Sequence, residues 1–114
     1  MKITERLIGK VWVLTVTEEQ PGESDAKSLT ERLDAIVRDG GTKKVVIDFT
    51  DVNHLDSQLS VKLSRFHHHL LVANGGIRIV KDLRPLTAAA AWTQLFGIIQ
   101  FHYTKEAAIA SFTS

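Results

Sequence analysis

Val45-Val46-Ile47-Asp48-Phe49-Thr50-Asp51-Val52-Asn53-His54-Leu55-Asp56-Ser57 begins on three branched apolar residues and ends on Asp-Ser. Residues 43–49 (KKVVIDF) are a short apolar run, rich in branched side chains, and predict a strand buried on both faces. The polar stretch 50–56 predicts a loop. A helix should begin near Ser57, because Leu59, Leu63, Phe66, Leu70 and Ala73 recur at helical steps. Asn74-Gly75-Gly76 then stops it, and Ile77-Arg78-Ile79-Val80 reads as the next strand. Two strands joined by one helix imply a parallel pair with a right-handed crossover.

The same reading extends in both directions. Residues 2–8 and 11–17 predict two strands around a Gly9-Lys10 turn, with Val11, Trp12, Val13, Leu14 and Val16 supplying the residue types that strands favour. Residues 18–23 (EEQPGE) are a loop. Ser24 or Asp25 can cap a helix whose buried stripe is Ala26, Leu29, Leu33, Ile36 and Val37, closed by Gly40-Gly41. Toward the C-terminus, Leu83-Arg84-Pro85 turns into a helix over 86–96, with Pro85 in its first turn. Gly97 closes it, residues 98–103 predict a last strand, and 105–112 a small last helix. The order is β-β-α-β-α-β-α-β-α. It predicts an α/β class fold, a mostly parallel sheet of four to five strands with helices packed on it, in a single domain spanning 1–114.

Composition narrows the function classes. The chain has 114 residues, 14 Lys and Arg against 13 Asp and Glu, a formal charge of +1, and 44% apolar residues. This balance gives no electrostatic case for nucleic acid or an anionic membrane as partner. No apolar run approaches the roughly 20 residues a spanning helix needs. Residues 1–16 read as strand rather than as a leader, because Lys10 and alternating polar residues interrupt any apolar stretch. There is no cysteine, which excludes disulfides, thiolate metal sites and thiol catalysis and favours a reducing, cytoplasmic location.

In parallel sheets, sites gather beyond the strands' carboxyl ends. Loops 17–24, 50–56 and 81–85 should all leave that edge, so His54, Asp56, Ser57, Lys81, Asp82 and Arg84 are expected to share a rim. Ser57 carries the most information. Its hydroxyl, at a helix N-terminus, can serve as a cap. It can equally accept a phosphoryl group, which would meet unpaired N–H donors there and add about −1.5 to −2 charges to an exposed surface. Lys81 and Arg84 read as solvated loop charges, able to hold an anion or an acidic partner. His67-His68-His69 is a poor metal cluster, since consecutive helical residues point about 100° apart and helical ligands want four-residue spacing. It reads as a partly solvated helix face, and no metal is expected. Gly-x-Ser-x-Gly, Gly-x-Gly-x-x-Gly and the P-loop are absent, so no catalytic residue and no nucleotide chemistry are expected. Trp92 and Phe96 read as core aromatics rather than as the wall of a carrier site.

The run Val45 to Ser57 quoted above resembles the signature of STAS domains, the fold of anti-sigma factor antagonists: an apolar strand ending in Asp, a short polar loop, an apolar residue, then Asp-Ser opening a helix. Gly75-Gly76-Ile77-Arg78-Ile79-Val80 resembles that family's glycine-led next strand. Leu95-Phe96-Gly97-Ile98-Ile99-Gln100-Phe101 resembles its passage into the last strand, and residues 105–111 its closing helix. The likeness runs from about residue 44 to 112, and the first third agrees in element order alone. The resemblance implies a regulatory protein that binds an anti-sigma factor serine kinase, with the serine of Asp-Ser, here Ser57, as phosphoacceptor and Asp56 beside it. Asp56, Ser57, Gln58, His54, Lys81, Asp82 and Arg84 are the expected partner surface. A homodimer is compatible with it. ATP would belong to the kinase, so no cofactor is expected here. The family usually continues Asp-Ser-Ser/Ala-Gly-Leu-Gly, whereas this chain has Asp56-Ser57-Gln58-Leu59-Ser60. A module that no longer switches but still binds or oligomerises is the alternative implied by that departure.

Overall fold

The computed structural model describes residues 3–17, 23–39, 41–52, 54–82 and 90–112. Strand β1 (Ile3–Ile8) pairs antiparallel with β2 (Val11–Val16), Ile8 opposite Val11. Gly9 takes φ +59°, the left-handed conformation that a glycine-led two-residue hairpin loop requires. Within β2, Leu14 and Val16 face one layer and Val11 and Val13 the other, and all four are buried.

Helix α1 (Glu23–Arg38) leads to β3 (Lys44–Asp48), α2 (Ser57–Val72) to β4 (Gly76–Val80), α3 (Ala90–Phe96) to β5 (Gln100–His102), and α4 (Lys105–Ala110) follows. The sheet order is β1-β2-β3-β4-β5, with every pair after the first hairpin parallel. This is the element order the sequence predicts. The part of α3 expected before residue 90, together with Leu83, Arg84 and Pro85, lies outside the described residues.

The main core lies between the sheet and helices α1, α2 and α3. Leu29, Leu33 and Ile36 of α1, Leu59, Leu63 and Leu70 of α2, and Trp92 and Leu95 of α3 pack on Val45, Ile47, Ile77 and Ile79. Phe49 and Trp92 meet edge to face at 5.6 Å between ring centroids. The opposite sheet face carries a smaller core of Val11, Val13, Val46 and Val80 under Ala108 of α4, with Ile109 and Phe112 packed against it. There the Arg78 guanidinium lies 4.3 Å from the Phe112 ring centroid, and its Nε donates to Ser111 Oγ at 3.0 Å. Residues Val45 to Asp48 are buried on both faces of β3, as its unbroken apolar run predicts.

Two junctions fix α1 and α2. The Lys43 ammonium donates to the carbonyls of Ile36 at 2.6 Å, Val37 at 3.0 Å and also Asp39, satisfying the end of α1 with a single cation. At the end of α2, Asn74 and not a glycine takes the left-handed conformation, φ +65°. Gly75 is required for a different reason: a Cβ there would stand 1.9 Å from the Lys43 carbonyl oxygen.

The buried stripe of α2 departs from expectation. It runs Leu59, Ser60, Leu63, His67 and Leu70, while Phe66 is only half-buried and Ala73 is exposed. The Ser60 hydroxyl is satisfied by the Ala91 carbonyl at 3.4 Å. His67 is buried while His68 and His69 are exposed, so the histidine triplet is the partly solvated helix face expected, although its buried member joins the core stripe. Phe96 is also corrected. It is 61% exposed, whereas Trp92 is fully buried.

Candidate functional site

The parallel register sets Thr15, Asp48 and Val80 side by side, with His102 beyond, so the carboxyl ends of β2 to β5 form one edge. The loop from β3 to α2 is pinned there by its own apolar residues. Phe49, Val52 and Leu55 point inward and are buried. The Phe49 N–H donates to the Val80 carbonyl at 3.0 Å and the Val52 N–H to the Phe49 carbonyl at 2.9 Å. Asp48, itself buried, accepts from the Thr50 N–H at 2.9 Å and from the Thr50 hydroxyl. Its other oxygen lies 3.4 Å from Lys105 Nζ, which docks the start of α4. With every third residue held inward, His54 and Asp56 are left facing solvent.

Asp56 is the N-cap of α2. Its φ of −67° and ψ of 135° are extended, and Oδ1 accepts from the Gln58 N–H at 2.8 Å. Ser57 is therefore the first helical residue and not the cap. Asp56, Ser57 and Gln58 are all exposed. A carboxylate at this end is favoured by the helix dipole. It also takes one of the N–H donors that a phosphoryl group on Ser57 would otherwise meet, so the added charge would stand beside an existing one.

Lys81 is not a solvated loop charge. It is 6% exposed, its Nζ donates to the Thr50 carbonyl at 3.2 Å, and it lies 5.6 Å from the Trp92 ring centroid. Burial lowers its pKa, against the raising influence of Asp51, Asp48 and Asp82. Lys81 thus ties the end of β4 to the β3–α2 loop and supports the exposed turn from beneath. Asp82 is half-buried beside it in sequence, and Arg84 lies outside the described residues.

One imidazole, His67, lies inside, and a second, His102, is half-buried. His67 Nδ1 accepts the Ile77 N–H at 2.9 Å, so this ring is neutral at that nitrogen and bridges α2 to β4. Burial first, then the charges of Arg78 and His68, lower its pKa. His102 is lowered by burial and by Arg78, and its Nε2 is buried without a partner among the described residues. Among the described residues no group of three His, Asp or Glu side chains could hold a metal, and no helix is long and apolar enough to cross a membrane.

Sequence reasoning missed Asp48, Thr50 and Lys105 as the props of the loop. An Asp two residues before a Thr, at the end of an apolar strand, was the available sign of a side-chain turn. Lys105 gave no local sign, because its partner is 57 positions away in sequence terms only through the fold.

This architecture is the STAS fold of anti-sigma factor antagonists, with its five-strand sheet and alternating helices. Among solved structures with it, a STAS domain protein from Planctomyces limnophilus superposes with TM-score 0.80 at 17% identity, covering 98% of this chain and 98% of that one. The Bacillus cell fate determinant SpoIIAA, in its phosphorylated form, gives 0.71 at 12% identity over 96% of this chain and 98% of its own. RsbS of Moorella thermoacetica, in a serine-to-glutamate variant, gives 0.70 at 15% identity over 99% and 96%. No family model and no curated protein matches the sequence.

Proposed function

We propose that this protein is an anti-sigma factor antagonist that binds an anti-sigma serine kinase and is switched by phosphorylation at Ser57. One observation carries the reading. An exposed serine begins α2 directly after an Asp cap, on a loop held rigid from below, in a fold shared with SpoIIAA in its phosphorylated form. The partner surface would be the exposed turn of His54, Asp56, Ser57 and Gln58, with Lys81 and Asp82 supporting it and Arg84 as a further contact. Phosphorylation would place a dianion next to Asp56 and repel or desolvate against the bound partner, leaving the fold intact. The protein itself would catalyse nothing and would act in the cytoplasm.

The test is incubation with an anti-sigma serine kinase from the same organism, with ATP, and site mapping by mass spectrometry. Label on Ser57 that disappears in Ser57→Ala is expected. Label that survives that change overturns the reading.

A second reading has its own support. The family pattern that this turn resembles continues with small residues where this chain has Gln58 and Leu59, and Leu59 is buried in the core. The turn cannot admit a partner backbone as closely as glycine would. A STAS module that binds or dimerises without switching fits this, and then Ser57→Asp leaves association unchanged in calorimetry.

A further inference from the structure

The two margins of the sheet differ in chemistry. β1 carries the exposed charges Glu5 and Arg6. β5, at the other margin, reads Gln100-Phe101-His102. Burial and then Arg78 lower the pKa of His102, so its ring is neutral at pH 7 and β5 carries no charge. Among the described residues no strand pairs with the far side of β5. The Lys81 N–H donates to the His102 carbonyl at 3.0 Å, so the main-chain groups of His102 point to β4. Alternation along the strand turns the N–H and C=O of Phe101 outward, to the open margin.

Apolar surface gathers at the same place. Ring contacts run outward from the core: Phe49 to Trp92 at 5.6 Å between centroids, Trp92 to Phe101 at 6.4 Å, and Phe101 to Phe96 at 5.7 Å. The row starts on the fully buried Phe49 and ends on Phe96, 61% exposed. Tyr103, just after the strand, is 68% exposed, and Ile98, shortly before it, is 49% exposed. Edges that avoid pairing are kept short or carry charge or proline. β5 is short, but aromatic surface flanks it where charge would stand.

Register selects the occupant. A twofold axis at Phe101 sets that residue opposite itself, where the two copies exchange N–H···O bonds, and sets Gln100 of each copy opposite His102 of the other. The first charge beyond the strand, Lys105, falls opposite Gly97, so no charge meets its own sign. Joining β5 of one copy to β1 of the next is head to tail and does not close. An aromatic side chain presents roughly 150–250 Å², so the open parts of Phe96 and Tyr103 come to about 250 Å² per copy and about 500 Å² in a pair. That is less than half of the ~1,200 Å² at which stable interfaces begin, so the pair is weak and depends on concentration.

We infer that β5 pairs antiparallel with β5 of a second copy about a twofold axis at Phe101, joining the two sheets into one. The pairing uses none of Asp56, Ser57 or Gln58 and rests on neither reading of that turn.

Sedimentation equilibrium of the full chain, from micromolar to millimolar concentration, should show monomer passing to dimer and no larger species. In a mixture of labelled and unlabelled copies, isotope-filtered nuclear magnetic resonance should show contacts between copies, Phe101 with Phe101 and Gln100 with His102. Gln100→Lys combined with Tyr103→Lys gives β5 the kind of charge that β1 carries and should weaken the dimer at least about tenfold. Both positions are exposed, so circular dichroism should show an unchanged fold. Val72→Lys, at an exposed apolar position of α2, and Ser57→Ala should leave the dimer unmoved. A protein still monomeric at millimolar concentration, a dimer unmoved by the double change or lost equally in Val72→Lys, growth beyond the dimer, or contacts between copies elsewhere on the surface would overturn the inference.

Discussion

The two ends of α2 are held in opposite ways. At its N-terminus Ser57 and Gln58 are exposed, held locally by a short-range cap from Asp56, and burial begins only at Leu59 and Ser60. Toward its C-terminus His67 is buried and accepts a hydrogen bond from Ile77, and Gly75 is pressed against the Lys43 carbonyl. The distal end carries the anchoring, and the proximal end is free to present side chains. A surface that must accept a covalent charge without unfolding the protein is best placed where few stabilising contacts depend on it.

The sharpest way to break this contrast is at Gly75. Gly75→Ala drives a Cβ into main-chain atoms, so urea denaturation should show a loss of about 4 kcal/mol or more, among the largest single-residue effects. Next is His67. His67→Ala leaves the Ile77 N–H buried without its acceptor and should cost about 1–3 kcal/mol.

The same histidine makes a pH prediction. Its folded pKa lies below the ordinary 6.5, so the unfolded chain binds the proton more tightly. Its contribution is complete above about pH 6.5 and is lost as pH falls from there toward the folded value. His102, lowered in the same direction, adds to the slope. His67→Asn, which offers an amide oxygen near the Nδ1 position, should flatten the fall in stability between neutral pH and pH 5 while keeping the fold. A slope unchanged from the parent would assign it to other groups.

The N-terminal end should respond far less. Asp56→Ala removes a cap and should cost about 1 kcal/mol in thermal unfolding. Ser57→Ala should change stability by no more than about 0.5 kcal/mol. A large loss at Ser57 would show that the exposed turn is part of the folding core and would erase the contrast between the two ends.

The sequence makes this division only partly legible. The unbroken run of β3 and the leucine spacing of α2 predict both elements, because burial on two faces and burial on one stripe leave different apolar periods. The Asp-Ser turn is legible too, since caps and loops use few residue types. The buried row of α2 is misread at two places, because Ser60 and His67 are polar and counting apolar positions passes over them. Each is acceptable inside only because a partner from another element, Ala91 or Ile77, satisfies it. Lys81 is misread for the same reason: its aliphatic stem and one carbonyl from the β3–α2 loop make burial tolerable, and that carbonyl is 31 positions away in the chain.

The hairpin strand at the margin has a further consequence. β1 pairs on one side only, and Glu5 and Arg6 lie exposed along it, with Glu5 also bound by Arg32 of α1 at 3.0 Å. An open rim of peptide groups is a template on which identical molecules can stack into ribbons, and charged side chains along it must be desolvated before another strand can pair. Glu5 and Arg6 therefore oppose ribbon growth through their hydration shells, which a pairing strand has to displace.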